Sequence, residues 1–163
     1  MKEKILLSEE GYEQYQKEIE NLETKIRKIR NIKAEAYKEA PGDGWHDNFP
    51  FEDATRQEDI LLVQKNNLLK KKKDIVIVER KKTNKKTIDL DDIVTLELTY
   101  EEGETEILKI QLVGKWKIDD SNHIQEISLN SPLGKALYQN EKDDFQYKVN
   151  DKIIKIRIIS IDT

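Results

Sequence analysis

Residues 41–54 have the sequence Pro-Gly-Asp-Gly-Trp-His-Asp-Asn-Phe-Pro-Phe-Glu-Asp-Ala and separate two long, charged segments with helical periodicity. This stretch contains two of the chain's three prolines and two of its six glycines. Because proline lacks the N–H that a helix interior needs and glycine adopts turn conformations easily, the composition predicts a turn between two helices. Its four acidic residues and its aromatic rings favour a shaped tip over a disordered loop.

The segment before this turn predicts one long helix over residues 8–39. Ser8 is a suitable N-cap, and the acidic residues that follow it suit the positive end of the helix dipole. The apolar side chains recur at alternating spacings of three and four, which is the pattern of a coiled-coil seam. These side chains are Tyr12, Tyr15, Ile19, Leu22, Ile26 and Ile29.

The segment after the turn carries a second seam, in which apolar residues lie seven apart at Ala54, Leu61, Leu68 and Ile75. Two long helices joined by about a dozen residues pair antiparallel, so residues 1–79 predict a coiled-coil arm with its tip at 41–54. A seam of this kind also fits a dimerising coiled coil. We favour the hairpin, and therefore a monomer.

Beyond a polar, basic linker at residues 80–86, the hydrophobic period changes from helical to alternating. Residues 87–163 therefore predict a small antiparallel β domain, with one short helix that begins at Ser131 and Pro132. The fold class is α+β. The predicted strands cover residues 93–100, 107–113, 126–129, 146–149 and 152–161, and the last two form a hairpin through Asn150 and Asp151.

The composition limits the functional classes. Charged residues make up 38% of the chain, well above the usual proportion of about 25%, so much of it lies in solvent. The absence of cysteine excludes disulfides and thiolate metal sites. No apolar run approaches the ~20 residues that span a bilayer, so we expect a cytoplasmic protein without a membrane partner. The net charge of −4 argues against broad nucleic-acid binding, although a local basic surface remains compatible with it.

The order of these parts resembles the Gre transcript-cleavage factors of bacterial RNA polymerase. The resemblance covers the whole chain and is most specific at two motifs. One is Asn130-Ser131-Pro132 before the short helix, and the other is Gly42-Asp43 followed by Asp47-Asn48 in the tip. It implies an FKBP-like C-terminal domain that binds the rim of the polymerase secondary channel through Asn130, Ser131 and Pro132. It also implies a coiled coil that enters the channel, and an accessory factor, not an independent enzyme.

For the tip, the resemblance implies that Asp43 and Asp47 share a Mg²⁺ ion with the polymerase active centre and that Asn48 orients a neighbouring group. Carboxylate oxygens are the ligands Mg²⁺ prefers, and two metal ions can drive phosphodiester hydrolysis. The tip departs from the family pattern, because three residues separate its two acids where two are expected, and the second acid is Asp instead of Glu. The alternative is thus a channel regulator that does not stimulate cleavage. A coiled-coil adaptor without a polymerase partner is a third possibility.

Basic side chains on the two helices form a candidate surface for the 3′ end of the nascent RNA, because lysine and arginine bind phosphates. An ordinary solvated coiled-coil surface would have a similar composition. The candidates are Arg27, Arg30, Lys33, Lys38 and Lys65.

In the tip, Trp45, Phe49 and Phe51 either stack on a base or, as we favour, pack on one another. We expect His46 to be a loop residue, and Glu52 and Asp53 to cap the second helix.

Overall fold

The computed structural model describes residues 3–39, 48–81 and 86–162. The chain folds as two units. The first, the hairpin unit, spans Tyr15–Asp74, and the second, the β unit, contains the residues up to Gln14 together with those from Ile75 onward. In the described ranges, no helix combines the length and the apolar character that a bilayer crossing requires.

Two helices make up most of the hairpin unit: α1, Glu9–Glu39, which begins in the β unit, and α2, Phe49–Lys71. A short 3-10 turn, Lys72–Asp74, follows α2. The buried apolar side chains of this unit are seam residues on both helices, which confirms the predicted helical hairpin. They are Tyr15, Leu22, Ile26, Ala54 and Leu68.

The antiparallel pairing of α1 and α2 follows from the contacts that join them. The hydroxyl of Tyr15 donates to the carbonyl of Leu68 at 2.6 Å, whereas near the other end of the pair the side chain of Asn48 donates to the carbonyl of Ala36 at 2.8 Å. The Tyr15 bond also explains how a tyrosine can be only 1% exposed, since a buried hydroxyl needs a partner.

The second seam ends earlier than predicted. Residues Ile75–Ile77 form a strand, β2, which pairs in parallel with an unpredicted strand β1, Ile5–Leu7. Both segments are short and apolar, and the β-branched residues of β2 favour an extended backbone over a helix. The predicted division at residues 79 and 80 therefore differs from the structure, in which both strands belong to the β unit.

Five strands form the main sheet of the β unit, in the order β5-β4-β3-β7-β6. They are β3 Ile93–Thr99, β4 Thr105–Val113, β5 Gln125–Ser128, β6 Asp144–Val149 and β7 Lys152–Asp162, and the helix α3 is Pro132–Leu137. The prediction of a small β domain with one short helix is confirmed, with one correction. The pair β4–β5 is parallel, because the connection between these strands is long enough to bring the chain back in the same direction.

The core of the β unit lies on one face of this sheet. Residues of β3 alternate between buried and half-buried positions, so that Val94, Leu96 and Leu98 point inward. The predicted β6–β7 hairpin is confirmed, and its two turn residues, Asn150 and Asp151, have positive φ angles of 49° and 64°. Such angles are typical of the tight turn whose twist matches that of paired strands.

The beginning of the predicted linker is bound to the β unit. The guanidinium of Arg80 donates to a carboxylate oxygen of Asp92 at 2.6 Å and to the carbonyl of Leu90 at 2.7 Å. The backbone N–H of Lys81 donates to Asp89 at 2.7 Å. The carboxylate of Asp92 is buried, so Arg80 supplies the positive charge and the donor that such a group requires.

Candidate functional site

Asn48 joins the two helices where the hairpin turns. Its side-chain oxygen accepts from the N–H of Phe51 at 3.2 Å, which makes it the N-cap of α2. Its amide nitrogen donates to the carbonyl of Ala36 at 2.8 Å, and the residue is only 8% exposed. Asn48 therefore satisfies an orphan N–H at the start of one helix and holds it against the last turns of the other.

The rings beside this cap occupy different environments. Phe51 lies 5.8 Å from the ring of Tyr37, and the ammonium of Lys33 lies 5.4 Å from the Phe51 ring, within cation–π range. Phe49, by contrast, is 81% exposed at the first position of α2. Phe51 therefore packs on a ring of α1 that the sequence expectation did not include, and the described residues show no packing between Phe49 and Phe51. Trp45 lies outside the described residues, so its part of the expectation stays a prediction.

Of the four acidic residues of the tip, the structure describes Glu52 and Asp53. Asp43 and Asp47 lie outside the described residues, as does His46. Glu52 is exposed in the first turn of α2, where a carboxylate suits the helix dipole. Asp53 accepts from Arg56 and from Gln57, and the hydrogen bond from Arg56 holds the pKa of its carboxyl below the usual value.

Most of the candidate RNA-binding cations have partners within the hairpin. Arg30 and Lys33 both bind the carboxylate of Glu58, at 2.7 Å and 3.2 Å. Lys65 binds Glu23 at 3.2 Å. Arg27 donates to the hydroxyl of Thr24 at 3.2 Å, and Lys38 lies exposed in the last turn of α1. The structure thus places Arg30, Lys33 and Lys65 in ion pairs that cross between the helices.

The candidate polymerase-binding residues lie at the start of α3. The side chain of Asn130 accepts from the N–H of Leu6 at 2.7 Å and donates to its carbonyl at 2.8 Å, as a neighbouring strand would. Ser131 is the N-cap, accepting from the N–H of Gly134 at 3.0 Å, and Pro132 follows it in the first turn. Of the three residues, Pro132 is the exposed one, while Asn130 and Ser131 are half-buried.

The sequence interpretation missed Glu58 and Glu23 as the partners of the basic residues. Hydrogen bonding from Arg30 is the main cause that lowers the pKa of Glu58, and the Glu58 side chain is only 12% exposed. The available signal was the antiparallel register, because pairing Ala36 with Asn48 brings residue 30 opposite residue 54, one helical turn from Glu58. A single sequence without that register does not reveal such pairs.

Comparison with known families decides what kind of protein this is. The family model described as "Transcription elongation factor, GreA/GreB, C-term" matches residues 80–163, which is more than half of the chain. The chain belongs to the GreA/GreB family. It is a GreA/GreB-like transcription elongation factor, and the matched region contains the five-stranded sheet, α3 and the Asn130-Ser131-Pro132 motif. No curated protein matches the chain significantly.

Several solved structures of Gre-type proteins are similar to this chain along its length. The GreA factor homolog 1 (Gfh1) of Thermus thermophilus is 22% identical, with 98% of this chain and 99% of that chain covered and a TM-score of 0.41. Gfh1 of Thermus aquaticus is also 22% identical, with 99% and 100% covered and a TM-score of 0.41. A transcription elongation factor GreA/GreB from Nitrosomonas europaea is 16% identical, with 99% and 100% covered and a TM-score of 0.36.

Proposed function

We propose that this GreA/GreB family member binds RNA polymerase at the secondary channel and stimulates the polymerase's own cleavage of backtracked transcripts. The observation that carries the proposal is the bond between Asn48 and the carbonyl of Ala36. It holds together the two helix ends between which Asp43 and Asp47 lie in sequence. An arm of this kind can deliver carboxylates to a partner's active centre, because α1 alone is ~46 Å long at its 31 residues.

The chemistry of the proposed tip depends on the polymerase. Two carboxylates are fewer ligands than Mg²⁺ takes, so Asp43 and Asp47 would complete a site that the polymerase and its transcript also provide. A metal ion in such a site activates water and stabilises the leaving oxygen. In this proposal the chain supplies ligands and their positioning, and it acts as an accessory factor, not as an enzyme of its own.

A backtracked elongation complex with Mg²⁺ tests the proposal. We expect the wild-type chain to accelerate release of 3′ cleavage products. The double variant Asp43→Ala with Asp47→Ala should slow that release by at least ~10-fold, since even the loss of a group that only orients a metal ligand costs about 10–100-fold. Asp59→Ala is the matched control, because Asp59 is an exposed carboxylate on α2. Cleavage no faster than in buffer, or cleavage insensitive to the tip double variant, contradicts the proposal.

The paired cations favour a second candidate, a channel regulator that does not stimulate cleavage. Glu58 neutralises Arg30 and Lys33, and Glu23 neutralises Lys65, so these side chains are less available to hold an RNA 3′ end. Such a factor would occupy the channel and slow nucleotide addition. Its signature is a raised apparent KM for nucleotides in a complex that has not backtracked, together with unchanged cleavage of a backtracked complex.

Releasing the cations distinguishes the two candidates further. Glu58→Gln frees Arg30 and Lys33 and leaves the tip sequence intact. If these cations hold RNA in the wild type, crosslinking of the RNA 3′ segment to the arm becomes stronger in the variant. If the arm only occupies the channel, the variant changes neither the crosslink nor the inhibition of nucleotide addition.

A further inference from the structure

The two edges of the hairpin unit carry different kinds of surface. Along one edge, the ion pairs Lys65–Glu23 and Arg30–Glu58 cross between the helices. Along the other edge lies an open groove of about 400 Å³ that both helices line. Its lining residues are Lys25, Lys28, Ile29, Ile32, Gln57, Ile60 and Leu61. We call this feature the lysine-rimmed groove.

The floor and walls of the lysine-rimmed groove are apolar. Ile29 and Leu61 are half-buried between the helices, whereas Ile32 and Ile60 are 51% and 52% exposed. A single exposed isoleucine on a protein surface is ordinary, but here four branched apolar side chains from two helices line one groove. Two paired helices leave a groove of this shape, into which an amphipathic helix can place an apolar stripe.

The charge on the lysine-rimmed groove has one sign. Its two charged lining residues, Lys25 and Lys28, come from α1, and both are exposed. Within the described part of the chain, neither ammonium belongs to an ion pair, in contrast to Lys65 on the opposite edge. The complementary ligand is therefore apolar along its centre and carries carboxylates along its side.

We propose that the lysine-rimmed groove binds a short amphipathic helix of a partner protein, with its apolar residues against Ile32 and Ile60 and its carboxylates beside Lys25 and Lys28. A second copy of this chain is a poorer occupant, because its groove would present the same positive charge. The groove also has only seven lining residues, whereas a stable interface uses about 20–30 on each side. The proposal does not depend on the polymerase chemistry above.

A pair of designed peptides tests the charge requirement on the full chain. Both are 14-residue peptides with leucine at alternating spacings of three and four and alanine at most other positions, which favours a helix. The positions that flank the leucine stripe are glutamate in one peptide and lysine in the other. We expect fluorescence anisotropy to show binding of the acidic peptide and at least tenfold weaker binding of the basic one. Added salt weakens the acidic complex, because exposed charge pairs are screened.

Charge reversal of the groove separates recognition from a loss of folding. Lys25→Glu with Lys28→Glu is expected to weaken binding of the acidic peptide by about tenfold or more and to strengthen binding of the basic peptide. An unfolded variant could not gain affinity for the basic peptide. The proposal is overturned if the variant gains no affinity for the basic peptide or keeps its preference for the acidic one.

The apolar part of the proposal has its own control. Ile32→Ser with Ile60→Ser is expected to weaken binding of the acidic peptide by about tenfold, since both isoleucine side chains would be covered in the complex. Val63→Ser is the matched control, because Val63 is 58% exposed on α2 but does not line the groove. Circular dichroism verifies that each variant keeps its helices.

Three results would show that a different ligand occupies the groove or that nothing does. The first is absence of acidic-peptide binding up to about 1 mM, a concentration that corresponds to very weak affinity. The second is tighter binding of a single-stranded RNA that is lost with the two lysines. The third is self-association of the chain that disappears in the double serine variant. The cleavage assay with the tip variants is unaffected by any of these outcomes.

Discussion

Asn48 and Asn130 show how one side-chain amide can fix two segments of backbone. Each uses its oxygen as an acceptor and its nitrogen as a donor, Asn48 towards Phe51 and Ala36, and Asn130 towards both backbone groups of Leu6. A carboxylate could accept but not donate, and a hydroxyl would be too short to bridge both groups. These two residues are therefore specific asparagines for structural reasons, whatever they also do for function.

At Asn48 we predict that replacement by alanine destabilises the hairpin unit by about 1–3 kcal/mol, since it removes the cap and the bond to Ala36. Asn48→Ser keeps an acceptor for the cap but does not reach Ala36, so this variant should lose less stability than Asn48→Ala. Urea denaturation followed by helical circular dichroism measures both. Asn66→Ala, at an exposed position inside α2, serves as the control and should cost nothing. Equal stability of Asn48→Ala and wild type would contradict the role assigned to the cap.

At Asn130 we predict that alanine weakens the attachment of the Leu6 backbone to the β unit, at a cost of about 1–3 kcal/mol. Asn130→Asp should be no more stable than Asn130→Ala, because the second carboxylate oxygen of the aspartate would face the carbonyl of Leu6. Hydrogen exchange at the Leu6 amide is the direct measurement, with exposed Gln146→Ala on β6 as the control. If Asn130→Ala leaves that exchange unchanged while polymerase binding falls, Asn130 acts through the partner and not through Leu6.

At the scale of elements, Glu58 connects the two helices of the hairpin. It accepts from Arg30 and Lys33, which lie three residues apart on α1, so one carboxylate binds side chains from two successive turns of the facing helix. The Arg30 side chain is 58% exposed, and solvent therefore weakens the pair. The ion pair therefore contributes little to the free energy of unfolding, but its contribution depends on pH.

We predict that the hairpin unit loses stability as the pH falls through the acidic range below the usual Glu pKa of 4.5. The hydrogen bond from Arg30 lowers the pKa of Glu58 in the folded chain, so the folded state favours the charged carboxylate. The stabilisation is complete above the pKa of the unfolded chain and disappears as pH falls through the lower, folded value. Urea midpoints measured across this range should show the loss.

The variant Glu58→Gln isolates this effect. It should be less stable than wild type at neutral pH by up to about 1 kcal/mol, the upper end for exposed ion pairs, and the difference should vanish in acid. Asp59→Asn removes the adjacent exposed carboxylate and is the control. A stability difference that stays constant from neutral to strongly acidic pH would assign the loss to packing instead of charge.

At the scale of the whole molecule, the first residues of the chain complete a unit whose remaining parts lie more than sixty residues later. Strand β1 pairs with β2, and the N–H of Ser8 donates to the carbonyl of Gly114 at 2.9 Å. Gly11 lies against the same backbone, because a Cβ on it would stand 1.9 Å from the Gly114 oxygen. The first turn of α1 thus packs on the β unit without room for a side chain.

We predict that Gly11→Ala destabilises the β unit by about 1–3 kcal/mol, because the new methyl group overlaps the Gly114 carbonyl. Helix propensity alone predicts the opposite sign, a gain of about 1 kcal/mol. Fluorescence of Trp116 in a Trp45→Phe background follows the β unit during denaturation. Lys17→Ala on exposed α1 surface is the control and should be neutral or slightly stabilising. A stabilised Gly11→Ala variant would mean that the close approach to Gly114 is absent.

The sequence by itself predicted the features that depend on neighbouring residues. The spacing of the apolar residues, including Tyr15, Leu22 and Ile26, predicted the hairpin seam, and the two predicted strands on either side of Asn150 and Asp151 predicted the closing turn. For the candidate site, it identified the turn between the helices and the start of α3 at Ser131. The metal-binding role of Asp43 and Asp47 stays a prediction that rests on the family.

Only the tertiary structure decided where distant groups meet. The segment Ile75–Ile77 has helical spacing with the seam before it, yet pairing with Ile5–Leu7 makes it a strand. Glu58 becomes the partner of Arg30 through the register of α1 and α2, and Asn130 becomes the partner of Leu6 across 124 residues. Local periodicity constrains backbone conformation and which face is buried, but a partner far away in the chain is selected by the free energy of the whole packing arrangement.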